Sequence, residues 1–281
     1  MGKHAKTVKL IELAAEILAA EHPMTVRQVY YQLVSRQVIE NRRSAYGAVC
    51  NALRDARLEG AIPWEYIEDR LRQPRYVRMW DDLADFGETI RRAYRRNVWS
   101  TQPDVLEAWL EKHALSGIFE KVLEPYGVTL NVGRGYDGWS SIHAAAERYG
   151  AGDGNDGGPP VFVIYFGDHD PRGEDMLRSL RDRLADLGSH PTIEKVAILR
   201  EDIERYDLPP DFAKKSDTRA RAFIETYGDQ AVELDALPPA VLRQRLTDAV
   251  EARMDLDALA DVQRTEKADL QRLAGLLSGR R

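Results

Sequence analysis

One short apolar stretch and the turn after it constrain the fold more than any other part of this sequence. Residues 161–166 read Val-Phe-Val-Ile-Tyr-Phe, a run too short for an isolated helix and rich in β-branched and aromatic side chains. Such a run is typical of a strand that is buried on both faces of a parallel sheet. Gly167 ends the run, and Asp168 and Asp170 follow on the turn. Because ligands of open α/β sheets bind at the carboxyl ends of the strands, this turn is a candidate site.

The two aspartates have two interpretations that the sequence leaves open. Crowded carboxylates repel each other unless a positive charge lies between them, and Mg²⁺ is the hard cation that best suits oxygen ligands. Aspartate is also a common helix N-cap. Pro171 and Gly173 lead directly into a predicted helix beginning at Glu174, so capping alone could explain the pair.

Strands and helices alternate on both sides of this stretch. Strands are predicted at 105–110, 128–132, 161–166 and 193–199, and helices at 113–125, 138–149 and 174–187, with a further helical turn at Asp202. This alternation indicates an α/β fold with a mostly parallel, Rossmann-like sheet and right-handed crossovers.

The N-terminal third has a different pattern. Helices are predicted at 6–20, 26–36 and 44–59, and Thr25 and Gln28 have the spacing of a capping box. Residues 62–77 are expected to supply the short strands of a wing. This order favours a winged helix-turn-helix over 1–79, followed by a linking helix at 80–100, the sheet domain at 101–237 and a helical extension at 238–281. A plain helical bundle is the alternative.

The charge distribution is consistent with a nucleic-acid-binding N-terminal region. The net charge is −6, but residues 1–100 hold 17 Lys+Arg against 13 Asp+Glu, and the remainder holds 23 against 33. On the third helix, Asn51, Arg54 and Arg57 are candidates for contacts with DNA phosphates and bases. An ordinary solvated surface would also account for these arginines.

Composition excludes several other classes of protein. Cys50 is the only cysteine, so internal disulfides and cysteine zinc sites are excluded. No apolar run is long enough to span a bilayer, and the acidic residues of the first helix do not suit a secretory signal. We therefore expect a cytoplasmic protein that is not in a membrane.

A third carboxylate is expected at the same edge of the sheet. Glu111 directly follows the first predicted strand, and parallel neighbouring strands would bring it to Asp168 and Asp170. Such a trio could hold Mg²⁺ while the glutamate moves a proton during phosphoryl transfer. The glycine-rich turn 133–138, which contains Arg134, follows the second strand and would reach this edge to contact a phosphate.

These motifs together resemble a Toprim domain. Glu111-Lys112, Gly133-Arg-Gly-Tyr136 and Asp168-His-Asp-Pro-Arg-Gly173 follow the first, second and third strands in the order most similar to the topoisomerase VI A subunit and the related meiotic double-strand-break transesterase. The resemblance covers about residues 5–250. It implies a winged-helix domain ahead of Toprim, a DNA substrate, Mg²⁺ (or Mn²⁺) held by Glu111, Asp168 and Asp170, a homodimer and a separate ATPase subunit.

The same family carries its catalytic tyrosine in an R-x-x-Y-Y motif, which here is Arg27-Gln-Val-Tyr-Tyr31. By that match Tyr31 would be the nucleophile and Arg27 its helper, with Tyr31 of one subunit meeting the acids of the other. Arg27 and Tyr31 are four residues apart and so share a helix face, where a guanidinium would favour the phenolate and bind a phosphate. Tyr30 would point into the core. Packing of both tyrosines is the alternative.

Three functions follow from this sequence. The first is a Mg²⁺-dependent DNA transesterase that leaves a 5′-phosphotyrosine and a free 3′-OH. The second is a hydrolytic Toprim nuclease in which water attacks. The third is a DNA-binding adaptor whose Toprim fold is catalytically idle.

Overall fold

A four-stranded parallel sheet lies at the centre of the protein. The structure is a computed structural model that describes residues 5–68, 77–133, 138–154, 157–209, 211–212 and 217–277. The strands are β1 (Val105–Leu110), β2 (Thr129–Val132), β3 (Val161–Phe166) and β4 (Thr192–Ala197), in the spatial order β2-β1-β3-β4. All neighbouring pairs are parallel, and Leu110 is the register partner of Phe166. The predicted α/β class with a parallel sheet is confirmed.

Helices cover both faces of this sheet. Those between and after the strands are α5 (Ser116–Leu123), α6 (Trp139–Tyr149), α7 (Pro171–Asp186), α8 (Arg200–Arg205) and α9 (Ala220–Tyr227). The buried residues of one face join α6 and α7 in a core that includes Trp109 and Tyr165. The other face joins α5 through Phe119 and Phe166, whose ring centroids are 4.8 Å apart. Because β3 is buried on both faces, it is apolar at every position.

The predicted N-terminal helices are present at α1 (Ala5–Glu21), α2 (Val26–Ser35) and α3 (Arg43–Leu58). The capping box forms as expected, with the Thr25 hydroxyl accepting from the Gln28 backbone and the Gln28 side chain accepting from the Thr25 backbone. Buried residues of these helices belong to the same apolar core as one face of the sheet. The N-terminal helices therefore pack on the sheet domain.

The expected wing strands differ from what the structure describes. Trp64–Tyr66 forms a single 3₁₀ turn, and the backbone pairing here is one isolated parallel bridge between Met24 and Ile67. Pro63 precedes the turn and cannot donate a backbone hydrogen bond to a strand partner. Residues 69–76 of the expected wing lie outside the described residues.

The linking helix is shorter than predicted. Helix α4 spans Leu83–Ala93, and the chain becomes extended at Tyr94. The backbone N–H of Arg96 donates to Glu266 at 2.7 Å, and the Arg96 guanidinium donates to Asp269 at 2.6 Å. These two acids lie on a C-terminal helix, so tertiary contacts replace the last turn that the periodicity suggested.

The expected helical extension at 238–281 consists of α10 (Pro239–Glu251) and α11 (Leu256–Leu277), which are separated by residues 252–255. Helix α10 packs on α5 and on β4, and α11 packs on α4. Two short strands, β5 (Asp211–Phe212) and β6 (Gln230–Ala231), pair antiparallel just before this extension. Among the described helices, none combines the length and apolar character needed to cross a bilayer.

Candidate functional site

Glu111 and Asp168 meet at the carboxyl ends of β1 and β3. The backbone N–H of Glu111 donates to the Phe166 carbonyl at 2.9 Å, which extends the strand pairing by one residue. The backbone N–H of Asp168 donates to Glu111 Oε2, also at 2.9 Å. A Cβ on Gly167 would lie 2.8 Å from the same carboxylate oxygen and 2.5 Å from the Tyr165 ring. A larger residue at position 167 would therefore displace the Glu111 carboxylate or the Tyr165 ring.

Asp170 caps helix α7. Its Oδ1 accepts from the Gly173 backbone N–H at 2.6 Å, and Pro171 occupies the first helical position. A Cβ on Gly173 would lie 2.4 Å from the Asp168 carbonyl oxygen, so the turn requires glycine here as well. The capping interpretation of the D-x-D pair is thus correct for Asp170. The cap hydrogen bond uses one of its two carboxylate oxygens.

We call Glu111, Asp168 and Asp170, at the carboxyl edge of the sheet, the rim carboxylates. Burial and like charge together raise the pKa values of Glu111 and Asp168. Burial, followed by the charge of Asp168, raises the pKa of Glu111 to about 7. Burial also raises the pKa of Asp168 to about 6, although Lys112 and the Leu234 N–H act in the opposite direction. Asp170 adds a smaller upward contribution to the pKa of Glu111. This edge of the sheet therefore carries more negative charge than the described residues neutralise.

A second acidic pair, Glu233 and Asp235, lies on the other side of Asp168. The backbone N–H groups of His169 and Val232 each donate to the other residue's carbonyl, at 2.9 and 2.8 Å. This bridge holds the segment after β6 against the D-x-D turn, and the Leu234 N–H donates to Asp168 Oδ1 at 2.7 Å. Neither acid was predicted as a site residue, although Glu233-Leu-Asp235 is itself an acid-x-acid motif after an apolar residue.

His169, the central residue of D-x-D, has a packing role. Its ring lies 5.1 Å from that of Phe223 and 5.3 Å from that of Tyr227, both on α9. Its Nδ1 is 3.4 Å from Glu174, which also forms an ion pair with Lys195 at 2.5 Å. The histidine therefore anchors the turn while the flanking aspartates project elsewhere.

Lys112 is the central cation of the second acidic group. Its Nζ lies 3.0 Å from Asp168 Oδ1, 2.9 Å from Glu233 Oε2 and 3.5 Å from Asp235 Oδ2, and its side chain is 13% exposed. Burial would lower the pKa of Lys112, but Asp235, Asp168 and Glu233 raise it above its usual value. The lysine is therefore fully charged at neutral pH.

The same group includes Arg27 and Tyr31 of helix α2. Arg27 forms ion pairs with Glu233 and Asp235, and its guanidinium carbon lies 5.6 Å from the centroid of the Tyr31 ring. The Tyr31 hydroxyl is close enough to the Glu233 carboxylate for each to influence the pKa of the other. Burial, then Glu233, raises the pKa of Tyr31 well above its usual value, and Arg27 and Lys112 only partly oppose this. In this arrangement the phenol is protonated.

The tyrosine and the acids of one chain thus belong to one continuous set of contacts, from Tyr31 through Glu233 and Lys112 to Asp168. Burial would raise the pKa of Glu233, but Lys112 and Arg27 outweigh it and lower that pKa to about 2. Tyr30, which the sequence assigned to the core, is 4% exposed, but Tyr31 is also buried, at 7%.

The candidate DNA-contacting residues of α3 have protein partners. Arg54 contacts Asp55 and donates to Asn51 Oδ1 at 3.3 Å, and all three are at the surface. Arg57 stacks on Trp64, with its guanidinium carbon 4.1 Å from the ring centroid, and donates to the Trp64 carbonyl. Burial lowers the pKa of Arg57. Arg134 and the rest of 134–137 lie outside the described residues.

The rim carboxylates fit Mg²⁺ in donor chemistry but not in their present arrangement. In the described part of the chain, Glu111, Asp168 and Asp170 each have a second carboxylate oxygen without a hydrogen-bond donor. However, no three His, Cys, Asp or Glu side chains among the described residues are arranged to hold a metal ion together. Binding a cation at this edge would therefore require a change of side-chain rotamers.

Comparison with known proteins adds no assignment to this geometry. Neither the protein-family models nor the curated proteins contain a match to this chain.

Proposed function

We propose that this protein is a Mg²⁺-dependent DNA-cleaving enzyme built from a winged-helix-like N-terminal region and a Toprim-like sheet domain. One observation carries the proposal: Glu111 and Asp168, 57 residues apart in the chain, are joined by a hydrogen bond at the ends of neighbouring strands, with Asp170 on the same turn. Crowding buried carboxylates at a sheet edge is costly without a cation. The topology also gives the site the position in which α/β proteins bind ligands.

In this proposal Glu111, Asp168 and Asp170 hold the metal through their unbonded oxygens. Mg²⁺ bound there would neutralise the charge that develops on the phosphoryl oxygens. Glu111 has a second role. Because its pKa is raised to about 7, it can accept and donate a proton near neutral pH, as general acid–base catalysis requires.

Tyr31 is the proposed nucleophile. Its oxygen would bond to the DNA phosphorus as the bond to the 3′ oxygen breaks, giving a 5′-phosphotyrosine and a free 3′-OH. In this step the phenol loses a proton and the leaving 3′ oxygen gains one, and Glu111, whose pKa is raised to about 7, would carry the proton between them. Since Arg27 is held by Glu233 and Asp235, a substrate phosphate must displace at least one of them to reach the guanidinium.

Hydrolysis is the second candidate, favoured by the state of Tyr31. Burial and Glu233 raise the pKa of Tyr31, which disfavours the phenolate that attacks phosphorus. Water activated by Glu111 would avoid this cost. In that case Tyr31 and Arg27 would serve only to join α2 to the sheet domain.

Partners are part of the same proposal. The sequence resemblance implies a homodimer in which Tyr31 of one subunit serves the acids of the other, and a separate ATPase subunit. The contacts from Tyr31 through Glu233 and Lys112 to Asp168 support a different assembly of the site, within one chain. Mixing a Tyr31→Phe subunit with a Glu111→Gln subunit distinguishes the two, because only a site shared between subunits regains activity.

The deciding experiment is a search for DNA covalently attached to the protein after denaturation. End-labelled DNA is incubated with the wild-type chain and Mg²⁺ or Mn²⁺, and the reaction is stopped with detergent. We expect Tyr31→Phe and Glu111→Gln to abolish attachment and the matched Tyr30→Phe to retain it. Cleavage that persists in Tyr31→Phe without attachment favours hydrolysis. Failure of the wild-type chain to cut DNA or RNA with either metal, even with candidate partner subunits present, would refute both enzymatic proposals and favour a DNA-binding adaptor.

A further inference from the structure

A small cavity opens beside Tyr31. Its volume is about 170 Å³, and it lies between α2 and the start of α3. Three tyrosines and three arginines line it: Tyr30, Tyr31, Tyr46, Arg27, Arg42 and Arg43. Asn41 completes the lining among the described residues, and none of these lining residues is a carboxylate. A pocket that combines aromatic rings with several guanidinium groups is suited to an anionic ligand with a flat, apolar part.

The aromatic side of the cavity is fixed by direct contacts. The Tyr30 ring centroid lies 5.1 Å from that of Tyr31 and 5.2 Å from that of Tyr46, both in edge-to-face arrangements. The Tyr30 hydroxyl donates to Asn41 Oδ1 at 3.0 Å. Because these rings hold one another in place, the floor of the cavity is formed before any ligand binds.

The three arginines of the cavity differ in how strongly acidic residues hold them. Arg42 pairs with Glu40 at 3.2 Å, but their side chains are 65% and 76% exposed, so the pair contributes little. Arg43 is exposed and forms no hydrogen bond or ion pair with the residues that the structure describes. Arg27, in contrast, is held by Glu233 and Asp235. Two of the three guanidinium groups are therefore available.

The size of the cavity restricts the ligand. Pockets for complete small molecules are typically about 300–1,000 Å³, well above this volume. A single phosphodiester group with part of its nucleoside is small enough, and guanidinium groups recognise phosphate oxygens in pairs. Proteins that hold a single nucleic-acid strand commonly combine aromatic rings with such basic groups.

We propose that this cavity binds one phosphodiester group of a DNA strand, through Arg42 and Arg43, with its nucleoside against Tyr46 and Tyr30. The assignment rests on the proposed function, since it concerns the strand that passes Tyr31. Because the cavity borders Tyr31 directly, the bound phosphate fixes which linkage of the strand reaches the tyrosine.

The test measures the binding of a fluorescent single-stranded oligonucleotide as a function of salt. The wild-type chain is compared with Arg42→Gln/Arg43→Gln and with Arg264→Gln/Arg272→Gln, which removes two exposed charges from α11. Each lost phosphate contact should reduce the log–log salt slope by about 0.7 for a single strand, or about fivefold in affinity at 0.1 M salt. Because the two arginines hold the same phosphate, we expect the slope to fall by about 0.7 and binding at 0.1 M salt to weaken about fivefold for the cavity variant, with an unchanged slope for the control.

Three outcomes overturn the proposal: no oligonucleotide binding by the wild-type chain, equal slopes for the cavity variant and the control, or displacement of the oligonucleotide by an equimolar mononucleotide. Both substituted side chains are exposed, so we expect the cavity variant to fold. A thermal unfolding curve like that of the wild type checks this. Tyr31→Phe separates this proposal from the proposed function. If that variant and the wild type bind DNA equally and neither cuts it, cleavage is refuted while the cavity assignment still depends on the salt slopes.

Discussion

Buried carboxylates lie on both sides of Asp168, but only those on one side form ion pairs with cations of the described chain. On one side, Glu233 and Asp235 are neutralised by Lys112 and Arg27, and the pKa of Glu233 falls to about 2. On the other side, Glu111 forms no ion pair with the residues that the structure describes, and burial followed by Asp168 raises its pKa to about 7. We call these the neutralised side and the rim side. The difference shows on which side of Asp168 the described residues supply cations, and it is the rim side that the proposed metal ion would occupy.

Two adjacent residues divide the sides. Glu111 and Lys112 directly follow β1, and the glutamate accepts from the Asp168 backbone while the lysine contacts the Asp168 carboxylate. Asp168 therefore lies between a like charge and an opposite charge. If this comparison is correct, substitutions on the two sides should change stability in opposite directions.

Removing the cation of the neutralised side should have the largest effect. Lys112→Met leaves Asp168, Glu233 and Asp235 without their shared partner in a largely buried position. We expect the free energy of unfolding to fall by about 3–5 kcal/mol, as for other buried ion pairs that lose one member. Urea denaturation at pH 7 measures it.

Lys121→Met on α5 is the matched control, because Lys121 is exposed. It should change stability by less than about 0.5 kcal/mol. Equal effects of the two lysine substitutions would remove the distinction between the sides.

The sequence predicted the rim side better than the neutralised side. Glu111, Asp168 and Asp170 follow strands whose apolar character is local, and a parallel sheet brings strand ends to one edge. Glu233 and Asp235 reach Asp168 only because the His169–Val232 bridge joins two distant segments. That bridge depends on tertiary packing of His169 against α9, which no local pattern encodes.

The contacts on the surface of α3 could not be predicted from local sequence either. Helical periodicity correctly placed Arg57 on this helix, but its stacking on Trp64 depends on the turn after the helix. In the described part of the wing expected at 62–77, the structure has the Met24–Ile67 bridge instead of strands. In place of the last turn of the expected linking helix, Arg96 contacts α11. Local pattern therefore predicted elements well and their ends and partners poorly.

Neutralising Glu111 should stabilise the protein at high pH. A carboxyl whose pKa rises from 4.5 to about 7 on folding binds its proton more tightly in the folded state. Its contribution to stability is therefore present below pH 4.5 and is lost as the pH rises to about 7. Relative to wild type, Glu111→Gln should gain up to about 3 kcal/mol at pH 8 and nothing at pH 4.

Denaturation of wild type, Glu111→Gln and the exposed control Glu12→Gln across this pH range tests the sign. Glutamine keeps an oxygen that can accept from the Asp168 N–H, so the turn is preserved. A loss of stability at pH 8 in Glu111→Gln would show that the rim side is already compensated.

Mg²⁺ should act on the rim side alone and by a smaller amount. A cation that binds only the folded protein at ten times its Kd adds about 1.4 kcal/mol to the free energy of unfolding. We expect this gain in wild type at pH 8 and its loss in Glu111→Gln. NaCl at matched ionic strength is the control, and an equal response of both proteins to Mg²⁺ would place the cation elsewhere.

Substitutions of Asp170 should give the smallest change in stability. They also separate its role as a helix cap from its proposed role as a metal ligand. It caps α7 through the Gly173 N–H, and asparagine caps a helix about as well as aspartate. Asp170→Asn should therefore stay within about 0.5 kcal/mol of wild type, whereas Asp170→Ala should lose about 1 kcal/mol. Both should weaken the stabilisation by Mg²⁺, because both remove a carboxylate from the rim side. If Asp170→Asn keeps the full response to Mg²⁺, the aspartate serves α7 as a cap and is not a metal ligand.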